Sequence, residues 1–416
     1  MSHFEKVVQA KPDSIFGVQE TYKRALATYK ALPKDHPDAA PEKLPISLVI
    51  GAYRTAEGQP WVLPVVAEVE REMVGKENHE YLEMAGHVGF RNAAQKLMFG
   101  RNFPEVATIQ TLSGTGALSI GFNFFARHTN IRHVLLSDPT WGNHFTVAQT
   151  AGLTTGTYPY YNSQHNSVKF EEMLQCLRTC DPNTLVVLHP SAHNPTGMDL
   201  TMEQWAQLAE LFTARRTLVP FFDSAYQGYA SGDLDADVAA VRLFTDHGLQ
   251  VVVSQSFSKN MGLYGERVGA LHVKCDSVDE KDRVLSQLAA LARATYSNPP
   301  SYGARIASTI LSDPARFEQW KGCLDTMTSR LKGMRHALLA ALERRHVPGS
   351  WNHITVQQGM FSYTGLTAPQ VAYMAEHHKI FLLPSGRMSI AGLTPANVER
   401  VAAAMEDAVT HAPVAH

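Results

Sequence analysis

The chain has 416 residues, a length that suits two domains or one large domain with a smaller companion. Hydrophobic residues make up 44% and charged residues 18%, which supplies a large core and argues against wholesale disorder. A formal net charge of −2 offers no basic surface to nucleic acid or anionic lipid, and no run approaches the roughly 18 uninterrupted apolar residues of a membrane helix. The stretch from Met1 to Lys11 lacks the apolar centre of a secretory signal and carries Glu5 with no arginine, unlike a transit peptide. The closing Pro-Val-Ala-His matches no receptor-read address, and four cysteines do not make a disulfide framework, so the expected setting is cytoplasmic.

In chain order, Leu32–Pro45 holds four prolines and mixed charges and reads as a surface loop. Thr115–Arg127 has helical spacing. Val134–Leu136, Leu185–Leu188, Leu218–Phe222, Leu249–Ser254 and Val268–Val273 are short apolar runs that read as buried parallel strands. Among them lies Met202–Arg215, with Trp205, Leu208, Ala209, Leu211 and Phe212 at helical spacing behind the start signal Thr201, Glu203 and Gln204. This alternation predicts an α/β domain with a mostly parallel sheet. From Pro314 to Arg345 a long helical pattern follows. Phe361–Tyr363, Phe381–Leu383 and a last helix from Pro395 to Thr410 complete a smaller α+β unit.

Four features stand at strand ends, where open α/β sheets bind ligands. Ser113-Gly114-Thr115-Gly116 precedes a helix, whose free N–H groups suit a phosphate; a plain Gly-rich turn is the alternative. His193-Asn194-Pro195-Thr196-Gly197 is turn chemistry, and its asparagine can also donate to a ligand oxygen. Asp223 ends the apolar run Val219–Phe222, where desolvation is costly without a partner, with Tyr226 three residues on; a strand-end cap is the alternative. Lys259, just past a buried strand, lies among Ser256, Ser258 and Arg267, whereas most lysines are solvated. Together these describe one cofactor. A phosphate sits on the Gly-rich turn with Ser256 and Arg267, an aromatic aldehyde condenses with Lys259, and a ring nitrogen faces Asp223. Its phenolic oxygen faces Asn194 and Tyr226. Pyridoxal 5'-phosphate, covalent on Lys259, fits that description. No His-Glu-x-x-His occurs among the 19 histidines, so no metal site is expected.

The motifs also carry a family resemblance. They are Gly51-Ala52-Tyr53-Arg54-Thr55, Trp61-Val62-Leu63-Pro64, Asn78-His79-Glu80-Tyr81-Leu82, Trp141-Gly142-Asn143-His144 and the His193–Gly197 turn. The Ser256–Asn260 block, Ser297-Asn298-Pro299-Pro300 and Ser385-Gly386-Arg387 complete the set. In this order they resemble the aspartate aminotransferase family of fold-type I pyridoxal-phosphate enzymes, over nearly the whole chain. The resemblance implies a large domain with a mostly parallel seven-stranded sheet flanked by helices, plus a smaller α+β domain. Its expected boundaries are an arm at 1–14, a small domain at 15–59 and 331–416, and a cofactor-binding domain at 60–330.

By the same resemblance, Lys259 holds the cofactor and shuttles the proton. Asp223 pairs with the ring nitrogen, backed by His144 and His189. Asn194 and Tyr226 bond the phenolic oxygen and Trp141 stacks on the ring. Ser113, Gly114, Thr115, Ser256 and Arg267 hold the phosphate, with Tyr81 reaching the neighbouring subunit's phosphate. Arg387, Asn194 and the Gly51 backbone take the substrate α-carboxylate, and Arg293 of the other subunit takes the side-chain carboxylate. Arginine suits both clamps because its planar fork binds a carboxylate bidentately. The implied reaction is amino transfer between L-aspartate and 2-oxoglutarate by a homodimer with shared active sites, without nucleic acid or membrane. An aromatic or broad-specificity aminotransferase on the same scaffold is the alternative.

Overall fold

Short β-branched and aromatic runs, too brief for helices, become the strands of one central sheet. The structure, a computed structural model, describes residues 2–10 and 13–412. Met1, Lys11 and the closing Pro-Val-Ala-His, on which the N- and C-terminal readings partly rest, lie outside the described residues. The chain forms two units: Met1–Gly58 with Met334–Ile354 and Ser362–His416, and Gln59–Gly333 with Thr355–Phe361.

The larger unit is built on seven strands: β1 (Val106–Leu112), β2 (His133–Asp138), β3 (Thr154–Pro159), β4 (Thr184–Leu188), β5 (Leu218–Ser224), β6 (Val252–Ser256) and β7 (Val268–Lys274). Their order across the sheet is β1-β7-β6-β5-β4-β2-β3. The sheet is parallel except for β7, which runs antiparallel to both neighbours. This corrects the reading of Val268–Val273 as a parallel strand. The connection from Ser256 to Val268 contains no helix and falls short of the dozen or more residues that a parallel return needs. The chain therefore turns back on itself, and that turn carries Lys259.

Helices flank the sheet. α1 (Val88–Phe99) precedes β1, α2 (Ser113–His128) follows it without an intervening loop residue, and α3 (Met202–Ala214) precedes β5. The start of α3 is the capping box anticipated at Thr201 and Gln204. α2 packs its apolar face on the sheet. Phe122 meets Phe221 edge-on at 5.3 Å, and a Cβ on Gly121 would fall 2.8 Å from the Phe221 ring, so the glycine permits this close approach. Phe122 and Phe221 are fully buried, each contributing roughly 1.5–3 kcal/mol relative to exposure.

In the smaller unit, helix Ser14–Ala31 opens on an Asp13 cap, and strand Ile46–Ser47 pairs parallel with Ile380–Phe381. The proline-rich segment is mostly exposed, as expected, but includes two 3-10 turns, Pro37–Ala39 and Pro41–Lys43. Pro314–Arg344 is one helix, and the last helix is Val398–His411, three residues later in its start than the sequence pattern suggests. Pro395 and Asn397 instead belong to the turn that leads into it, where Asn397 Oδ1 accepts from the Thr394 amide at 2.7 Å.

Candidate active site

β1, β5 and β6 bring three of the four sequence features to one edge of the sheet. Where β1 meets α2, Ser113 takes a left-handed backbone, φ 60°. Its hydroxyl lies 2.9 Å from Ser256 Oγ and 2.7 Å from Ser258 Oγ. Ser258 thus joins the hydroxyl cluster, although the resemblance carried only Ser113, Gly114, Thr115, Ser256 and Arg267. Its place two residues after Ser256, on the same tight turn, was the available signal. A Cβ on Gly114 would stand 3.4 Å from Ser256 Cβ and 3.9 Å from Asp223 Oδ1, so this glycine keeps the space between hydroxyls and carboxylate clear. Arg267 is exposed and left-handed, φ 54°, with one guanidinium N–H donating to the Tyr264 carbonyl at 2.9 Å.

Asp223 is the penultimate residue of β5 and is 8% exposed. Its Oδ2 accepts from His144 Nε2 at 2.9 Å, and His144 Nδ1 lies 2.8 Å from Thr140 Oγ1. Burial works against the Asp223 charge. The His144 hydrogen bond, with the charge of Lys259, outweighs it and holds the carboxyl below its ordinary value. His189 stacks on His144 at 5.4 Å, and burial drives its pKa down to about 3, so it stays neutral. Neither ring nitrogen of His189 has a hydrogen-bond partner among the described residues. The trio His144, His189 and Asp223 could offer three metal-ligand atoms within 4.8 Å. A hydrogen bond between His144 and Asp223 already joins two of its members.

The His193–Gly197 turn is fixed from behind. Asp199 accepts from the Ala192 and His193 amides at 2.7 and 2.8 Å, and burial pushes its carboxyl up to about 6. Tyr160 stacks on His193 at 3.9 Å and donates to the Met198 carbonyl at 2.7 Å. Asn194, which precedes a cis proline, is half-buried on this turn. Asp199 and Tyr160 escaped the sequence reading. An aspartate between Met198 and Leu200 was the visible clue.

Lys259 lies on the turn between β6 and β7, half-buried, with Nζ 5.4 Å from the centre of the Tyr226 ring. Tyr226 is buried and meets Phe361 edge-on. Trp141 sits on the loop after β2, edge-on to His144 at 5.2 Å. Tyr81 is 87% exposed, and Arg293 is exposed with a hydrogen bond to Ser297. No described contact ties either to the residues above. In the smaller unit, Arg387 is buried and donates to the Val49 carbonyl at 2.9 Å, two residues from Gly51.

These groups fit pyridoxal phosphate. A hydroxyl cluster at a helix N-terminus suits the phosphate, a buried ionised aspartate suits a protonated ring nitrogen, and a half-buried lysine beside a tyrosine suits the aldehyde. The sequence model for aminotransferase class I and II matches residues 44–405. The chain belongs to this aminotransferase family. Its seven-stranded sheet is that of the fold-type I enzymes. It is 46% identical to the cytoplasmic aspartate aminotransferase of Caenorhabditis elegans, over 98% of each chain. It is similar in structure to the aspartate aminotransferase of Saccharomyces cerevisiae cytoplasm, with a TM-score of 0.91, 40% identity and 98% of each chain covered. The aromatic-amino-acid aminotransferase of Burkholderia pseudomallei, covalently bound to pyridoxal phosphate, aligns with a TM-score of 0.91 and 39% identity over 98% of this chain and 100% of that one. Class I and II aminotransferases act on amino and oxo acids.

Proposed function

We propose that this protein is a pyridoxal-phosphate aspartate aminotransferase, moving the amino group between L-aspartate and 2-oxoglutarate to give oxaloacetate and L-glutamate. The observation that carries it is the buried Asp223 carboxylate, one oxygen held by His144 and its charge felt by Lys259. Pyridoxal phosphate, when bound, supplies an aldehyde that condenses with amines and a ring that accepts the electron pair left at the substrate Cα.

The chain's own residues then divide the work. Lys259 is assigned as the covalent anchor and, once freed, as the base that takes and returns the Cα proton. Asp223 holds a proton on the ring nitrogen, and the His144 bond keeps it ionised for that task. Ser113, Gly114, Thr115, Ser256 and Arg267 anchor the phosphate; such contacts persist through turnover and stabilise binding rather than the transition state. Asn194 and Tyr226 hold the phenolic oxygen, and Trp141 covers the ring. Arg387, with Asn194 and the Gly51 backbone, orients the α-carboxylate, and Arg293 meets the side-chain carboxylate. Holding both ends sets the Cα–H bond for removal.

Arg293 and Tyr81 are assigned to the neighbouring subunit's site, which makes the enzyme a homodimer. Their exposure in a single chain supports this. The boundaries 1–14, 15–59, 60–330 and 331–416 are proposed as arm, small domain, cofactor domain and small domain. A cytoplasmic location is proposed from the worm relative's name, and no helix among the described residues is long and apolar enough to cross a membrane. The likeness to the Burkholderia enzyme favours a second reading, broad or aromatic specificity. A half-reaction absorbance assay across aspartate, glutamate, tyrosine, phenylalanine and alanine tests the choice. Fast reaction with aspartate and glutamate is expected, and a preference for phenylalanine would select the second reading.

A further inference from the structure

A line of buried polar side chains crosses the sheet of the larger unit and ends beside Lys259. Gln95 Nε2 donates to Thr108 Oγ1 at 3.0 Å, and Thr108 Oγ1 lies 2.9 Å from His272 Nδ1. His272 Nε2 lies 3.0 Å from Gln255 Oε1, and Gln255 Nε2 donates to Gln227 Oε1 at 3.2 Å. Gln227 Nε2 donates to the Leu97 and Leu234 carbonyls, each at 3.2 Å. The Gln227 main-chain carbonyl accepts from Asn260 Nδ2 at 3.1 Å, and the Asn260 carbonyl accepts from Trp320 Nε1 at 2.7 Å. All seven side chains are buried.

The two carbonyls at one end fix every direction along this line. Carbonyls only accept, so Gln227 must present its NH₂ to them and its oxygen to Gln255. Gln255 must then donate to Gln227 and accept from His272. Nε2 of His272 must carry the proton. Burial pushes the pKa of this imidazole down to about 3, so it is neutral and Nδ1 is an acceptor. Thr108 must donate its hydroxyl proton to Nδ1, leaving its oxygen to accept from Gln95. One assignment satisfies every contact from Gln95 to Gln227, and reversing His272, Gln255 or Gln227 sets donor against donor or acceptor against acceptor.

Three members are sequence neighbours of cofactor-site residues. Gln255 precedes Ser256, Gln227 follows Tyr226, and Asn260 follows Lys259. We propose that Gln95, Thr108, His272, Gln255 and Gln227 form a one-way positioning chain that fixes Lys259 against Tyr226, with His272 locked as the Nε2–H tautomer. This rests on the reading of Lys259 as the cofactor lysine. None of the five touches the reacting atoms. They act through the backbone at 226–227, 255–256 and 259–260.

The test compares the holoenzyme with its His272→Phe and His272→Gln variants. Phenylalanine fills the space but removes both hydrogen bonds, and glutamine keeps an amide donor toward Gln255. His272→Phe should lower kcat for aspartate about tenfold, short of the hundredfold that a 1 Å misplacement can cost, with KM changed by less than about twofold. It should also move the pH midpoint of the bound cofactor's visible absorbance change, and His272→Gln should recover most of both. Unchanged kcat and midpoint, with only a lower Tm, would overturn the proposal. Lys259→Ala separates the two levels: normal turnover there sinks the reading of Lys259 itself, whereas an inert Lys259→Ala beside a normal His272→Phe sinks the positioning chain alone. Should His272→Phe fail to fold, nitrogen-15 NMR of histidine-labelled, cofactor-free wild type decides. His272 should stay neutral with its proton on Nε2 from about pH 5 to 8, and an Nδ1 proton or a titration in that range would refute the chain.

Discussion

Ser113 and Arg267 both hold left-handed backbones, φ 60° and 54°, and the Ser113 amide donates to the Arg267 carbonyl at 3.2 Å. Their neighbours Leu112 and Val268 close the β1–β7 ladder, so two unfavourable conformations are joined at one sheet end. Such conformations cost about 1–3 kcal/mol each and persist where surrounding structure enforces them. Gly269 is part of that enforcement. A Cβ there would fall 2.6 Å from both the Ser113 carbonyl carbon and the Gln255 carbonyl oxygen.

Gly269→Ala should therefore push Ser113 out of the hydroxyl cluster. Overpacking of this kind costs about 1–3 kcal/mol. If the cost falls on the bound state, the Kd for pyridoxal phosphate rises about 5- to 150-fold. Absorbance titration of the apoprotein measures it. Gly322→Ala is the control, because a Cβ on that helical glycine meets nothing within 4 Å. It should leave the Kd alone and add about 0.5–1 kcal/mol of stability.

Asp223→Asn removes the charge that faces the proposed ring nitrogen and leaves His144 Nε2 against an amide. Breaking a buried charge pair costs about 3–5 kcal/mol in general. A fall in kcat/KM for aspartate of about 10²–10³-fold is expected, with the phosphate cluster intact. Steady-state kinetics beside a cofactor titration separates loss of chemistry from loss of binding. A wild-type rate in the variant would remove Asp223 from the mechanism.

Acid should destabilise the fold through His189 and His272. Burial lowers both pKa values from 6.5 to about 3. Between those limits the unfolded chain binds protons that the native one refuses, so unfolding free energy falls as pH falls, by up to about 1.4 kcal/mol per unit for each histidine. Urea unfolding at a series of pH values checks this. His272→Gln has no such group, so its stability deficit against wild type should shrink from pH 6.5 toward pH 4. A deficit independent of pH would show that His272 does not titrate in this way.

Shared active sites make a sharper prediction than dimerisation alone. Arg293→Ala should cost aspartate about 100-fold in kcat/KM and phenylalanine less than about tenfold, since only aspartate has a second carboxylate to clamp. Mixed with Lys259→Ala after subunit exchange, it should recover about a quarter of wild-type activity. In the mixed dimer one site combines intact Lys259 from one chain with intact Arg293 from the other. Two inactive proteins that remain inactive on mixing would put both residues in one chain's site.

The sequence made the chemistry more legible than the geometry. Asp223, Lys259 and the Gly-rich turn stand out because each is a costly residue type at the end of an apolar run, and the alternation of strand and helix indicates the parallel sheet. The direction of β7 was hidden because an apolar run looks the same in either sense. Only the short connection after Ser256 betrays it. Ser113 and Arg267 gave no sign of left-handed backbone, since neither is Gly or Asn. His272, Gln255 and Gln227 look like isolated polar residues in sequence. Their meaning appears only when the sheet aligns them into one hydrogen-bonded line.

Borohydride reduction of the cofactor-loaded enzyme, followed by peptide mass spectrometry, tests the assignment of Lys259 most directly. Reduction fixes the lysine-bound cofactor as a stable amine. The added mass should lie on the peptide carrying Ser256-Phe257-Ser258-Lys259-Asn260, at Lys259, and should vanish in Lys259→Ala. Mass on a different lysine, or none in an active enzyme, would contradict the account.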